Sequence, residues 1–363
     1  MNHFLAEPKA LRFAMRKAAA RVIDSCRYVL DRECEKFEQR WCQTCGSRFG
    51  IGTGNGLDAL EIALRALRIG PGDEVITTSM TAFATVLAIL RAGAIPVLAD
   101  IEPGTAVLAP ESVQRCLTSR TRAVLLVHLY GRLARMDFWR DWCSSHNIAL
   151  IEDCAQAHLA CWQGSRAGSF GVISAFSFYP TKNLGALGDA GMIVTSDPEL
   201  ARRAAMLRNY GSEQRGQHPE AGVNSRLDEI QAAILLERLP WLEDFTRRRR
   251  AVASAYGQGI RNPQVQLPPQ PEEESAHVHH LYVICCDSRL ALAEHLRRHG
   301  IESAMHYPLP IHFQRPCADL PRDPQGLVYA EQHASSCLSL PCHPQMNQME
   351  IARVIDTVND FAR

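Results

Sequence analysis

Between about residues 47 and 200 the chain alternates short apolar runs with segments whose apolar residues recur at helical spacing. The runs RFGIGT, DEVITTS, IPVLADI, RAVLLVHLYG, IALIEDCA, VISAFSFYP and GMIVTS read as strands. Between them, GLDALEIALRALRI, TAFATVLAILRAG, PESVQRCLTSR and MDFWRDWCSSHN read as helices. This alternation predicts β-α-β units and a mainly parallel sheet covered on both faces. Beyond residue 200 the pattern turns helical, with one long segment from Asp228 to Ile260 interrupted at Pro240. The stretch NPQVQLPPQPEEES (262–275) reads as a connector. It is followed by a strand, LYVICC, a helix, SRLALAEHLRRHG, and a closing amphipathic helix, NQMEIARVIDTVNDFAR. The expected organisation is α/β, with a large domain over residues 1–245 that includes an N-terminal helical segment. A smaller α+β domain follows over residues 246–363.

Composition narrows the function. A chain of 363 residues is long enough for two domains. Lysine plus arginine and aspartate plus glutamate balance at 39 each, so no global basic field points to nucleic acid or to an anionic membrane. No run approaches the roughly 18 apolar residues of a membrane span, and the opening residues lack the apolar core of a secretory signal. Thirteen cysteines scattered through strand-like and helix-like segments fit reduced thiols and a cytoplasmic protein. Cys42 and Cys45 form a C-x-x-C pair without a second pair at zinc spacing, and the histidines of HVHH (277–280) lack a suitably spaced acidic partner. Both are read as structural, and no metal is expected.

In an open α/β sheet, ligands bind beyond the carboxyl ends of the strands. Three segments there carry chemistry. GTGNGLDAL (52–60) sets three glycines between a strand and a helix, which suits an anion such as phosphate and equally suits a tight turn. ALIEDCAQAH (149–158) ends a strand on Glu152 and Asp153. Either carboxylate can meet a cationic ligand nitrogen or cap the next element. FSFYPTKNLG (176–185) carries Ser177 and Lys182 around Pro180. A lysine in an apolar pocket has a depressed pKa and can attack carbonyls, although a surface turn is the commoner setting. Together, an anion turn, a strand-end aspartate and a lysine about thirty residues later make the set that a pyridoxal 5'-phosphate site needs.

These segments, with GDEVITTSMTAFAT, LRNYGS, GVNSRLDEIQAAIL and HYPLPIH, resemble nucleotide-sugar aminotransferases of the DegT/DnrJ/StrS type, collinearly from about residue 30 to the end. The resemblance implies the fold type I architecture of pyridoxal-phosphate transferases: a large domain whose mostly parallel sheet is sandwiched by helices, and a smaller C-terminal domain. It also implies a homodimer with shared active sites. By the same resemblance Lys182 forms the Schiff base and shuttles the proton, Asp153 holds the pyridinium nitrogen, and Gln156 lies at the 3-hydroxyl side. Gly54, Asn55 and Ser177 serve the phosphate, Phe83 stacks on the ring, and Asn224 reaches the phosphate of the neighbouring subunit's cofactor. Tyr307 and His312 line the sugar pocket. The implied reaction takes an amino group from an amino acid, with L-glutamate expected as donor, and delivers it to a nucleotide-linked keto-sugar. HYPLPIH resembles the segment of members that aminate C3, favouring a dTDP-3-keto-6-deoxyhexose. Amination at C4, and a non-catalytic pyridoxal-phosphate-binding regulator of the same fold, are the alternatives. A histidine at the lysine position would mark a dehydratase, and a dinucleotide oxidoreductase would need G-x-G-x-x-G; the chain has neither. Leu159, where the family has glycine, and Trp162 are expected to alter the pocket wall or the following helix. RLARMDFW is an unusual loop after HLYG.

Overall fold

Seven strands form the central sheet of the computed structural model, which describes residues 3–362. They are β1 (Phe49–Thr53), β2 (Glu74–Thr78), β3 (Ile95–Ala99), β4 (Thr121–Val127), β5 (Ala149–Asp153), β8 (Ile173–Ser177) and β9 (Gly191–Thr195). Two short strands, β6 (Cys161–Trp162) and β7 (Ser165–Arg166), make a hairpin between β5 and β8. The sheet order is β1-β9-β8-β5-β4-β2-β3. All neighbours from β8 to β3 are parallel, while β9 runs antiparallel to both β8 and β1. Every residue of β2 and β9 is buried, as expected of strands covered on both faces. Because β4, β5 and β8 are neighbours, their carboxyl ends bring His128, Asp153 and Ser177 together at one edge of the sheet.

The long helical segment divides where proline predicts. Glu229–Arg238 is a helix, Leu239–Trp241 is a 3-10 turn, and Leu242–Gly259 is a second helix. Pro240 has no N–H to continue the ladder. The change of hydrophobic core falls inside that second helix. Phe245 packs with Leu11, Met15 and Ile234, whereas Val252, Ala253 and Tyr256 join a separate cluster with Tyr282, Leu296, Leu338 and Val358. Strand β10 (Tyr282–Cys285) pairs antiparallel with β11 (Cys337–Leu340), which the sequence pattern did not predict. Helices Lys9–Ser25 and Arg32–Cys45 form the N-terminal segment, and Pro198–Leu207 and Val328–Ser336 are further helices beyond those predicted. Met1, Asn2 and Arg363, at the outer ends of the two predicted units, lie outside the described residues.

The C-terminal part also reaches back across the sheet. Ile311, Cys317, Leu327 and Ala330 belong to the same cluster as Val75, Leu98 and Ile101. Leu98 N–H donates to Pro321 O at 2.8 Å and Asp323 N–H to Leu98 O at 2.9 Å, so the open edge of β3 is covered. Asp100 accepts from Tyr329 N–H at 2.9 Å and Ala330 N–H at 2.8 Å, fastening the start of helix Val328–Ser336. This docking holds residues 304–313 over the carboxyl ends of the strands. Among the described residues, no helix is long and apolar enough to cross a membrane.

Candidate active site

Lys182 sits in the turn that follows β8. Its N–H donates to Tyr179 O at 2.8 Å, and Tyr179 N–H donates to Ser177 Oγ at 3.3 Å. The turn is tight: a Cβ on Gly185 would lie 2.3 Å from Pro180 O, so only glycine fits there. The Lys182 side chain lines one cavity with Asp153, Gln156, Ser177, Gly56 and Thr85. Burial pushes its pKa below the ordinary lysine value, and the negative charge of Asp153 opposes that shift. The shift favours the neutral amine that a nucleophile requires.

Asp153 is 6% exposed. Its Oδ2 accepts from Thr85 Oγ1 at 2.9 Å and its Oδ1 from Ala155 N–H at 3.1 Å. Both donors are neutral, which leaves the charge of the carboxylate for a cationic nitrogen in the cavity. Glu152, one residue earlier, points the other way, as alternation along a strand requires. It is fully buried, and both of its oxygens are taken. Oε1 accepts from Phe170 N–H, Gly171 N–H and Ser174 Oγ at 2.9, 2.8 and 3.0 Å. Oε2 accepts from His128 Nε2 and Gly168 N–H at 2.9 and 3.1 Å. Burial pushes the Glu152 pKa up, but hydrogen bonds from His128, Gly171 and Gly168 outweigh it, and the pKa lies below the usual value. His128, Glu152 and Cys154 come within 4.8 Å of one another, yet the carboxylate is saturated by protein donors and offers no open ligand position.

The anion-binding end differs from the reading by residue type. Gly54 N–H donates to Ser225 Oγ at 2.9 Å, and Asn55 caps the helix Gly56–Ala66, accepting from Asp58 N–H at 2.8 Å and donating to Asp58 Oδ2 at 3.0 Å. The Gly54 N–H and the Asn55 side chain thus have partners inside the chain. The first N–H groups of a helix lack intrahelical partners, and here those belong to Gly56 and Leu57, which line the cavity. A Cβ on Gly56 would fall 2.7 Å from Ser177 Cβ, so glycine is what lets this N-terminus approach the serine hydroxyl. The third glycine of GTGNGLDAL was the signal for this.

The remaining assigned residues divide. Gln156 Oε1 accepts from Tyr130 N–H at 2.6 Å, and its Nε2 donates to Tyr307 Oη at 3.4 Å, so Gln156 and Tyr307 meet. Burial, then Asp153, raises the Tyr307 pKa to about 12, so its hydroxyl keeps its proton at neutral pH. His312 is 4% exposed and held on both nitrogens, by Ser79 Oγ at 2.9 Å and Glu331 Oε1 at 3.0 Å. It braces the wall from outside the cavity lining. Phe83 lies on the exposed side of the first turn of helix Phe83–Arg91, and Ala82, Ala84 and Thr85 face the cavity in its place. Asn224 is exposed, bridged to Asn209, and absent from the lining of this chain's own cavity. Leu159 and Trp162 also lie away from it. Leu159 adopts φ +70° and lines a different cleft with Leu236, Leu239 and Leu242, and the segment after it is the β6–β7 hairpin rather than a helix.

A cavity-lining lysine and a strand-end carboxylate, beside a glycine-opened helix N-terminus and a strand-end hydroxyl, define the class: a pyridoxal-phosphate enzyme of fold type I. The residues fit that cofactor, with Asp153 for the ring nitrogen and Gly56, Leu57 and Ser177 for the phosphate. The profile of the DegT/DnrJ/EryC1/StrS aminotransferase family matches residues 11–359, and the chain belongs to that family. It is a pyridoxal-phosphate-dependent aminotransferase. It is 44% identical over 346 residues to a dTDP-3-amino-3,4,6-trideoxy-alpha-D-glucose transaminase of Streptomyces venezuelae, covering 95% of this chain and 91% of that one. It is 43% identical over 347 residues to a dTDP-3-amino-3,6-dideoxy-alpha-D-galactopyranose transaminase of Aneurinibacillus thermoaerophilus, covering 96% and 95%. The crystal structure of S. venezuelae DesV in complex with a ketimine intermediate superposes with a TM-score of 0.93 at 44% identity, over 97% of this chain and 95% of that one.

Proposed function

We propose that this aminotransferase converts a dTDP-linked 3-keto-6-deoxyhexose to the 3-amino sugar, with L-glutamate as amino donor. The observation that carries the reading is the placement of Lys182 and Asp153 in one cavity, with Tyr307 of the HYPLPIH segment reaching it through Gln156. The transaminase relatives that act on 3-amino sugars support C3 over C4. When bound, pyridoxal phosphate supplies a carbonyl that condenses with amines and a ring that accepts electron density. The chain's residues do the rest. Gly56 and Leu57 N–H and Ser177 Oγ anchor the phosphate end, and Asp153 keeps the ring nitrogen protonated. Lys182 Nζ, depressed by burial, takes the proton from the donor's α-carbon and returns a proton on the other side of the transfer. Tyr307 Oη, protonated at neutral pH, offers a hydrogen bond to the sugar.

Incubation of the holoenzyme with L-glutamate and a panel of nucleotide-linked 3-keto and 4-keto sugars, read by mass spectrometry, tests the reading. The expected product is one amine at C3 of a dTDP-linked sugar. Amination only at C4, or of no member of the panel, overturns it. The intact set of Lys182, Asp153, Gln156 and Ser177 speaks against a non-catalytic regulator.

We further propose a homodimer in which the exposed Asn224 completes the neighbouring subunit's phosphate site, and a division of the chain near residue 245. Heterodimers of Lys182→Ala with Asn224→Ala subunits then regain activity, because one of their two sites holds both residues. The expected level is roughly a quarter to a half of wild type, one site in two at most. Verified heterodimers with no more activity than either parent would remove Asn224 from the neighbouring site.

A further inference from the structure

The motif HLYG (128–131) follows β4, and the proposed function assigns its tyrosine nothing. Tyr130 is 5% exposed and adopts φ +61°, ψ 3°, a left-handed conformation that a bulky residue holds only where its surroundings impose it. Those surroundings are specific. Its backbone N–H donates to Gln156 Oε1 at 2.6 Å. Its hydroxyl donates to the carbonyl of His306, the residue before Tyr307. Gln156 Nε2 donates to Tyr307 Oη at 3.4 Å. These three bonds close a cycle through the ends of β4 and β5 and the HYPLPIH segment of the C-terminal part.

Proton placement along the cycle is determined by the partners. The His306 carbonyl can only accept, so the single hydroxyl proton of Tyr130 goes to it. His333 Nε2, 2.9 Å from the same oxygen, must then be the donor. That leaves His333 Nδ1 to accept from Cys285 Sγ at 3.6 Å. Burial lowers the His333 pKa to about 4, so the neutral ring this order requires is the one present at neutral pH. Next door, a Cβ on Gly131 would lie 2.7 Å from Val278 Cγ2 and 2.8 Å from Gln156 O, and its φ is +91°, so the chain cannot relax away after Tyr130.

We propose that Tyr130 is a positioning residue: its backbone seats the cofactor-facing Gln156, its hydroxyl seats the substrate-facing His306–Tyr307 segment, and so it sets the two in register for the keto-sugar half-reaction. The proposal rests on the reading of Tyr307 as a sugar-pocket residue given above. Tyr130→Phe keeps the ring and the backbone donor and removes only the hydroxyl. In single-turnover measurements on the holoenzyme, kcat/KM for the keto-sugar half-reaction is expected to fall about tenfold, the scale of one unpaired buried acceptor. The amino-donor half-reaction and the cofactor spectrum are expected to stay within about twofold of wild type. In the Tyr307→Phe background the same change is expected to add nothing, since its route is already cut.

Equal loss in both half-reactions, no loss in the sugar half-reaction, or additive losses in the double variant would each overturn the proposal. Hydrogen–deuterium exchange of residues 304–309 gives a readout that needs no sugar. It is expected to quicken about tenfold in Tyr130→Phe holoenzyme with exchange elsewhere unchanged. If the wild-type enzyme aminates no sugar in the panel, the substrate reading fails and the exchange result alone decides Tyr130, with unchanged exchange overturning it. If Tyr130→Phe does not yield folded holoenzyme, His333→Leu removes the donor to the same hydroxyl and carries the same measurements. Sugar turnover and segment exchange both at wild-type values would then overturn it.

Discussion

Replacing Lys182 by alanine is expected to abolish transamination, with kcat falling by at least about 10⁴-fold, since under the proposed assignment it removes both the nucleophile and the proton carrier. The magnitude follows from its environment. Burial weakens the charged form of the amine, while Asp153, in the same cavity, keeps the shift from running further. The turn around Pro180 and Gly185 holds the backbone that presents it. Among the described residues no other lysine lines the cavity, so no neighbouring lysine is placed to substitute. The direct check is borohydride treatment of the holoenzyme followed by peptide mass spectrometry. Wild type is expected to carry reduced cofactor on the peptide containing Lys182, and Lys182→Ala is expected to carry none. Reduced cofactor on a different lysine of the wild-type enzyme would displace Lys182 from its role.

The second large effect is on stability. Glu152→Ala is expected to destabilise the protein by about 4–5 kcal/mol, because five donors, three of them buried and two half-buried, lose their acceptor together. In a chain of this size that lowers the thermal midpoint by on the order of 10 °C. The fault would propagate to function, since Glu152 ties His128, the 168–171 turn and the start of β8 to the strand that carries Asp153. The pH dependence has a definite sign. The folded pKa of Glu152 lies below its usual 4.5, so its contribution is complete above about pH 4.5 and is lost as pH falls through the depressed folded value. Thermal melts of both proteins between pH 7 and about pH 3 check this. A Glu152→Ala midpoint within about 2 °C of wild type at pH 7 would contradict the account. Glu152→Gln is expected to lie between the two, because its amide keeps one acceptor oxygen and turns N–H groups toward donors.

The central strands were legible in the sequence because strands buried on both faces are rich in apolar and β-branched residues without polar alternation: VITT, VLLV and IVT admit almost no other reading. Strand β11 was not, because CLSL follows directly on the helix VYAEQHASS without a turn residue between them. Its strand state comes from pairing with Tyr282–Cys285, about fifty residues earlier in the chain. At the site, the placement of Asp153 and Lys182 was readable, since one ends a strand, the other lies in the turn after a neighbouring strand, and strand ends converge. Glycine spacing marked an anion turn without saying which N–H groups stay free. Only the tertiary structure shows that the Gly54 N–H and the Asn55 side chain bond to Ser225 and Asp58, while Gly56 and Leu57 line the cavity.

By itself, then, the sequence determined the sheet and the position of Lys182 and Asp153 at its carboxyl ends, because burial periodicity, which is local, fixes where the strands run. The outward turn of Phe83, the bracing of His312 between Ser79 and Glu331, and the cycle joining Tyr130, Gln156 and Tyr307 were decided by tertiary structure alone. Each is a choice of partner among groups far apart in the chain. Hydrogen-bond geometry, which makes that choice, exists only after the core has packed.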